Sequence, residues 1–261
     1  MSQYSPDLFA DPDQAVPAGY AGRTSSSTMP LPRGNRDEKG CQGAPGTLAR
    51  LKERVARIER GRLPAAGLAP PLATGVAGID RTLAETGEAG LAAGAMHGIA
   101  GPGAQTLLLG LLKRLMARDP RPVLWGLPWT APAALYGPGL AQAGLATERL
   151  ILARARKPAE LLWALEEGLR SGALAAAVGE PDGRLTLTAS RRLQLAAETG
   201  GGFGFLISTR DDAAAPSALH SRWRAEPLPS EIGGDGAVTR RLDIALLRHR
   251  SGATGHWEAA V

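Results

Sequence analysis

The chain has 261 residues, 44% of them hydrophobic and 21% charged, and a formal net charge of +5. That length suits one sizeable soluble domain; no apolar stretch nears the ~18–20 uncharged residues of a bilayer span, and no signal-peptide pattern opens the chain. The lone cysteine, Cys41, excludes a disulfide framework or a cysteine-based zinc site, and four scattered histidines (His97, His220, His249, His256) argue against a histidine-rich metal cluster.

Residues 1–47 read as a disordered tail, rich in Pro, Gly, Ser, Asp and Gln without apolar periodicity. A basic amphipathic helix is expected over 48–63. Leu48, Leu51, Val55 and Ile58 recur three and four apart, arginines including Arg54 and Arg57 cover the rest, and Gly61 and Pro64 stop it. A domain over 64–261 follows. Its apolar runs Ala95–Ile99, Val123–Leu127, Leu174–Val178 and Phe203–Ser208 read as strands, and 104–118, 158–171 and 189–198 as helices, the last capped by Thr188. This rhythm predicts an α/β fold with a mostly parallel sheet flanked by helices. After residue 217 the pattern becomes alternating. Leu219–Ala225, Thr239–Arg248 and His256–Val261 are expected to be antiparallel strands at the C-terminal edge.

The segment that carries chemistry runs from Met96 to Thr106, after a strand and into a helix. A phosphate-binding loop needs two glycines separated by four residues, then Lys and Ser or Thr. Gly98 and Gly103 have that spacing, with Gly101 between them, so backbone amides could converge on phosphate at the helix N-terminus. Ala104 stands in place of the lysine and Gln105 in place of the metal-binding hydroxyl, with Thr106 next to it. Charge neutralisation in phosphoryl transfer would be lost. Two readings remain, a plain strand-to-helix turn and weak ATP binding through backbone amides.

Leu72–Asp80 followed by Gly90–Gly94 resembles the lead-in to the nucleotide site of RecA-type recombinases. Within that superfamily the chain resembles the ImuA family, through Pro122–Trp125, Leu135–Leu140, Lys157–Trp163, Leu169–Ala173, Leu187–Ala196, Ser221–Arg224 and Gly255–Glu258. The resemblance spans about 48–261 and implies a degenerate RecA-like core. It places Pro128 where such ATPases carry a water-activating glutamate, and Glu180 where an acid supports the metal. It makes the DNA-gripping loops short, 180–188 and 209–216, the second carrying Asp211 and Asp212.

The resemblance thus implies a non-enzymatic scaffold of SOS-induced translesion synthesis, cytoplasmic and nucleoid-associated, without a cofactor or a metal. Its partners would be ImuB, an error-prone replicative-type polymerase and RecA, with self-association through 48–62. The alternatives are an ATP-dependent DNA-binding ATPase and a cell-division inhibitor resembling SulA. Candidate partner or DNA surfaces are Arg54 and Arg57, the cluster Arg154, Arg156 and Lys157, and the strand Arg222–Trp223–Arg224. An Arg–aromatic–Arg strand can stack on single-stranded nucleic acid, whereas a core tryptophan between solvated arginines is the structural alternative. Of the 30 basic residues only four are lysines, and the arginines gather in these segments rather than in the two loops, a distribution that favours protein partners.

Overall fold

A computed structural model describes residues 69–131, 135–183, 185–208, 217–232 and 238–260. The tail, the basic helix with Arg54 and Arg57, and the loop 209–216 lie outside the described residues. The helices are α1 (Ala77–Glu85), α2 (Ala104–Arg118), α3 (Gly137–Gln142), α4 (Pro158–Arg170) and α5 (Leu187–Gly200). The strands are β1 (Ala95–Ala100), β2 (Val123–Pro128), β3 (Leu150–Ala155), β4 (Ala176–Gly179), β5 (Phe203–Ser208), β6 (Ser221–Ile232), β7 (Val238–His249) and β8 (Gly255–Ala260).

All eight strands form one sheet in the order β3-β2-β4-β5-β1-β6-β7-β8. The first six in that order run parallel; β7 and β8 are antiparallel. The α/β architecture with a C-terminal antiparallel edge is as expected, with one refinement. The first late strand, β6, enters parallel to β1, and only its successors reverse.

Side-chain alternation along the strands makes two cores, because successive residues face opposite sides of a sheet. Val123, Trp125 and Leu127 of β2 join Phe203, Phe205 and Trp223 beneath Leu108, Leu111, Leu112 and Leu115 of α2. Leu124, Met96 and Leu206 face the other way, against Leu161, Leu165 and Leu169 of α4 and Leu193 and Ala196 of α5. Helices therefore cover both faces. At the α4–α5 seam the buried Glu166 accepts charged hydrogen bonds from Arg170 and Arg192, each at 2.5 Å. Arg192 is thus an ion-pair residue.

Three local features differ from the sequence reading. Helix α5 starts at Leu187, and its cap is Thr186, whose Oγ1 accepts from the Ala189 N–H at 3.1 Å; Thr188 lies inside the first turn. Strand β3 had no counterpart, because at the sheet's outer edge Ile151 and Leu152 stay exposed and the period-two pattern is blurred. Arg154 consequently belongs to a strand rather than to a loop before a helix. Helix α1, with only Ile79 and Leu83 buried, also lacked a readable stripe.

Candidate functional site

The turn between β1 and α2 is shorter than its glycine spacing suggests. Gly98 lies inside β1, paired with Leu206 and Arg222, and an added Cβ would come 2.8 Å from Leu219 Cδ1. It is a packing glycine of the strand, so the reading of Gly98 as the first loop glycine is corrected. Only Gly101, Pro102 and Gly103 separate strand from helix. Gly101 adopts φ +97°, in the left-handed region, and its Cβ position lies 2.5 Å from the Ala225 carbonyl oxygen. Glycine is required there twice over.

The amides of this turn are engaged within the protein. Gly101 N–H donates to Ser208 O at 3.0 Å, Gly103 N–H to Ala225 O at 2.9 Å, and Ala104 N–H to Gly101 O at 3.1 Å. Pro102 has no N–H to offer. Where a phosphate cradle needs converging free donors, residues 101–104 present none outward, and β6 lies against the turn. Ala104 is buried in the core, Gln105 points to solvent, and Thr106 is half-buried.

Other parts of the same rim have structural occupations. Pro128 ends β2, and the next residue, Trp129, donates its N–H to Ala155 O at 2.6 Å. Glu180, just past β4, accepts a hydrogen bond from Trp125 Nε1 at 2.7 Å. Burial pushes its carboxyl above the usual carboxylate range, and the indole N–H offsets this only partly. A folded pKa above the unfolded one favours folding at low pH, and that contribution is lost as pH rises through the folded pKa. Glu180→Gln keeps an acceptor for Trp125 but cannot ionise. It is expected to match or exceed the parent's stability at neutral pH, with the difference vanishing in acid, as denaturation midpoints across pH would show.

The structure separates the two basic candidates. Trp223 is 4% exposed on β6, an interior strand, and donates from Nε1 to Ser221 Oγ at 2.7 Å. It cannot stack on a base, which corrects that reading of 222–224; Arg222 and Arg224 are half-buried beside it. The cluster at the end of β3 is open. The Arg154 and Arg156 guanidinium carbons lie 5.0 and 4.9 Å from the centroid of Trp129, which is 51% exposed, and Arg154 also donates to Trp129 O at 2.9 Å. Lys157 follows, exposed, at the start of α4. The arginines stood out in the sequence as a basic cluster, but Trp129 did not, because it meets them only through the β2–β3 pairing.

At the opposite rim, where β1 and β6 begin and β7 ends, the histidines gather. His220 Nε2 and His249 Nε2 lie 3.1 and 3.4 Å from one oxygen, Glu88 Oε2. His97 lies 5.8 Å from the His220 ring. The expectation of scattered histidines is corrected for these three: Glu88 and His220 are 132 positions apart, and the β1–β6–β7 pairing closes the gap. Burial pushes the Glu88 carboxyl up, but hydrogen bonds from both histidines outweigh it and hold the group well below the usual range. Burial, with His220's charge adding to it, pushes His97 down to about 3. The neutral His97 ring accepts at Nδ1 from Ser221 Oγ at 2.7 Å and donates from Nε2 to Ala92 O at 2.9 Å.

The domain is thus an α/β fold with a mostly parallel sheet, whose first strand-to-helix turn keeps its glycines but closes its amides inward. No protein-family model matches the chain. Protein ImuA of Caulobacter vibrioides, from strain NA1000 / CB15N and likewise from strain ATCC 19089, is 36% identical over 187 residues, covering 64% of this chain and 75% of the relative. The solved structure of SulA from Pseudomonas aeruginosa matches with 27% identity and a TM-score of 0.38, over 43% of this chain and 95% of that one. The chain belongs to the ImuA family, which ties it to bacterial damage-inducible mutagenesis. Among the described residues no helix is long and apolar enough to cross a membrane.

Proposed function

We propose that this protein has no catalytic step of its own and acts as a scaffold in SOS-induced translesion DNA synthesis, joining ImuB to an error-prone replicative-type polymerase. The observation that carries the reading is the turn at 101–104, whose amide donors all bond to carbonyls of the protein and whose lysine and hydroxyl positions are Ala104 and Gln105. With no lysine and with the 101–104 amides already bonded, β- and γ-phosphates gain too little there to offset their desolvation. The protein therefore works without ATP. Family membership supports the mutagenesis setting.

Partner contact is assigned to the β3 edge. An edge strand offers unpaired backbone groups to a partner's strand. Here it also carries exposed Ile151 and Leu152, the Arg154–Trp129–Arg156 stack, and Trp163 of α4 nearby in sequence, all features enriched in protein interfaces. Within the C-terminal strands 238–261, the open edge of β8 is a second contact. The segment 48–62, for self-association or RecA, lies outside the described residues.

The test is co-purification from damage-treated cells with the intact protein as bait, alongside ATP binding at millimolar nucleotide. ImuB and the polymerase should be recovered, and no saturable ATP binding should appear. Trp129→Ala combined with Arg154→Glu and Arg156→Glu should lower ImuB recovery at least about tenfold, the scale of a lost hot spot, while leaving the thermal midpoint nearly unchanged. Full recovery by that variant would sink the β3 assignment. Saturable ATP binding with hydrolysis above background would replace the scaffold by an ATP-dependent DNA-binding protein.

A further inference from the structure

We propose that Glu88, His220 and His249 form a zinc site. One ligand atom from each lies within 4.8 Å of the other two. Zinc holds imidazole nitrogen and carboxylate oxygen at about 2.0–2.2 Å in a tetrahedron, which sets neighbouring ligand atoms about 3.4 Å apart. The two distances to Glu88 Oε2, 3.1 and 3.4 Å, already have that spacing. Two histidines and a glutamate are also a donor set that zinc takes with three protein ligands and one open position.

The surroundings hold the donors in place. His220 lies just before β6, its N–H bonded to Met96 O and its carbonyl to the Arg250 N–H, both at 2.8 Å. His249 ends β7 opposite Ser221. Its Nδ1 lies 2.7 Å from Ser251 Oγ and accepts the Ser251 N–H at 3.3 Å, contacts that fix the ring; a metal at Nε2 would require the proton on Nδ1, directed at the Ser251 hydroxyl in place of the longer amide contact. His97 is not the fourth ligand, since both its nitrogens are engaged by Ser221 and Ala92. Both ligand histidines are buried, whereas the Glu88 side chain is 28% exposed. The open coordination position therefore faces the Glu88 side, where water reaches it.

The site lies at the far rim from the 101–104 turn and is independent of the scaffold reading. Its metal would clasp the connection between α1 and β1 to the β6–β7 strands. Three elements distant in sequence would be joined at one point.

The experiment uses the full chain with any polyhistidine tag removed, stripped with a chelator and titrated with zinc against a chromogenic competitor. Cobalt substitution serves as a geometric probe. One zinc per chain is expected, with visible cobalt bands of tetrahedral intensity and a thermal midpoint that rises with zinc. Glu88→Gln and His249→Gln should each weaken binding at least about tenfold and abolish the rise. Glu88 sits on a turn, so its variant keeps the test decisive even where His249→Gln does not fold. Absence of stoichiometric zinc overturns the site and leaves a hydrogen-bonded triad. Unchanged affinity in Glu88→Gln overturns it equally, by placing the metal elsewhere.

Discussion

Ala104→Lys, which restores the residue a phosphate-binding loop requires, is expected to destabilise the protein by about 3 kcal/mol and to leave ATP unbound. Ala104 is 3% exposed at the first position of α2 and belongs to the core with Leu107, Leu108 and Leu242. A lysine there must either bury its ammonium among leucines or lift the first turn of α2 off the sheet. Its charge would also oppose the positive end of the helix dipole. Nor would it find a phosphate to neutralise, because the donors at Gly101, Gly103 and Ala104 remain tied to Ser208, Ala225 and Gly101. Gln105→Ser, on the exposed side, should change stability by no more than about 0.5 kcal/mol. Urea denaturation gives the first quantity and titration calorimetry with ATP the second. Nucleotide binding gained by the double variant would mean that the turn can reopen, against the proposed inward closure.

The second large effect is expected at Trp223. Trp223→Ala removes a ring that packs 6.3 Å from Trp257 and lies in the same core as Ile99, Leu107 and Leu242, at a cost of about 3–5 kcal/mol. It also breaks a relay of hydrogen bonds that runs from Trp223 Nε1 to Ser221 Oγ, on to His97 Nδ1, and from His97 Nε2 to Ala92 O. Trp223→Phe separates the two contributions. It keeps most of the ring but leaves Ser221 without its donor, so about 1–2 kcal/mol of loss should remain. Fluorescence anisotropy with a single-stranded oligonucleotide supplies the contrast. A surface stacking residue would lose DNA affinity with little change in stability, whereas a core residue does the reverse.

Much of the fold was legible because its signals are local. The apolar run of Phe203–Ser208 sits just after Gly200–Gly202, and the leucines of 104–118 repeat on one face, so β5 and α2 announce themselves. The edge strand β3 did not, since Ile151 and Leu152 face solvent and Arg154 reads as a surface cluster. At the phosphate-type turn, the sequence shows Ala104 and Gln105 where a lysine and a hydroxyl would stand. It could not tell that Gly98 lies within β1, because a glycine that admits Leu219 looks the same as one that admits a phosphate. The histidine cluster was invisible for a different reason. Glu88 and His97 lie more than a hundred residues before His220 and His249, and only the strand order reports that β1, β6 and β7 are neighbours.

That strand order also governs when the protein can fold. The central strand β1 finds its partners late: Ala95 pairs with Phe203, and His97 with Ser221. During synthesis the first-made strand must wait, unpaired and apolar, until most of the remaining chain has left the ribosome. Loop closure over such a span makes nucleation slow, and the waiting strand is a target for chaperones and proteases. Nonsense truncations anywhere before β6 deprive β1 of a neighbour and should yield degraded chains rather than partial activity.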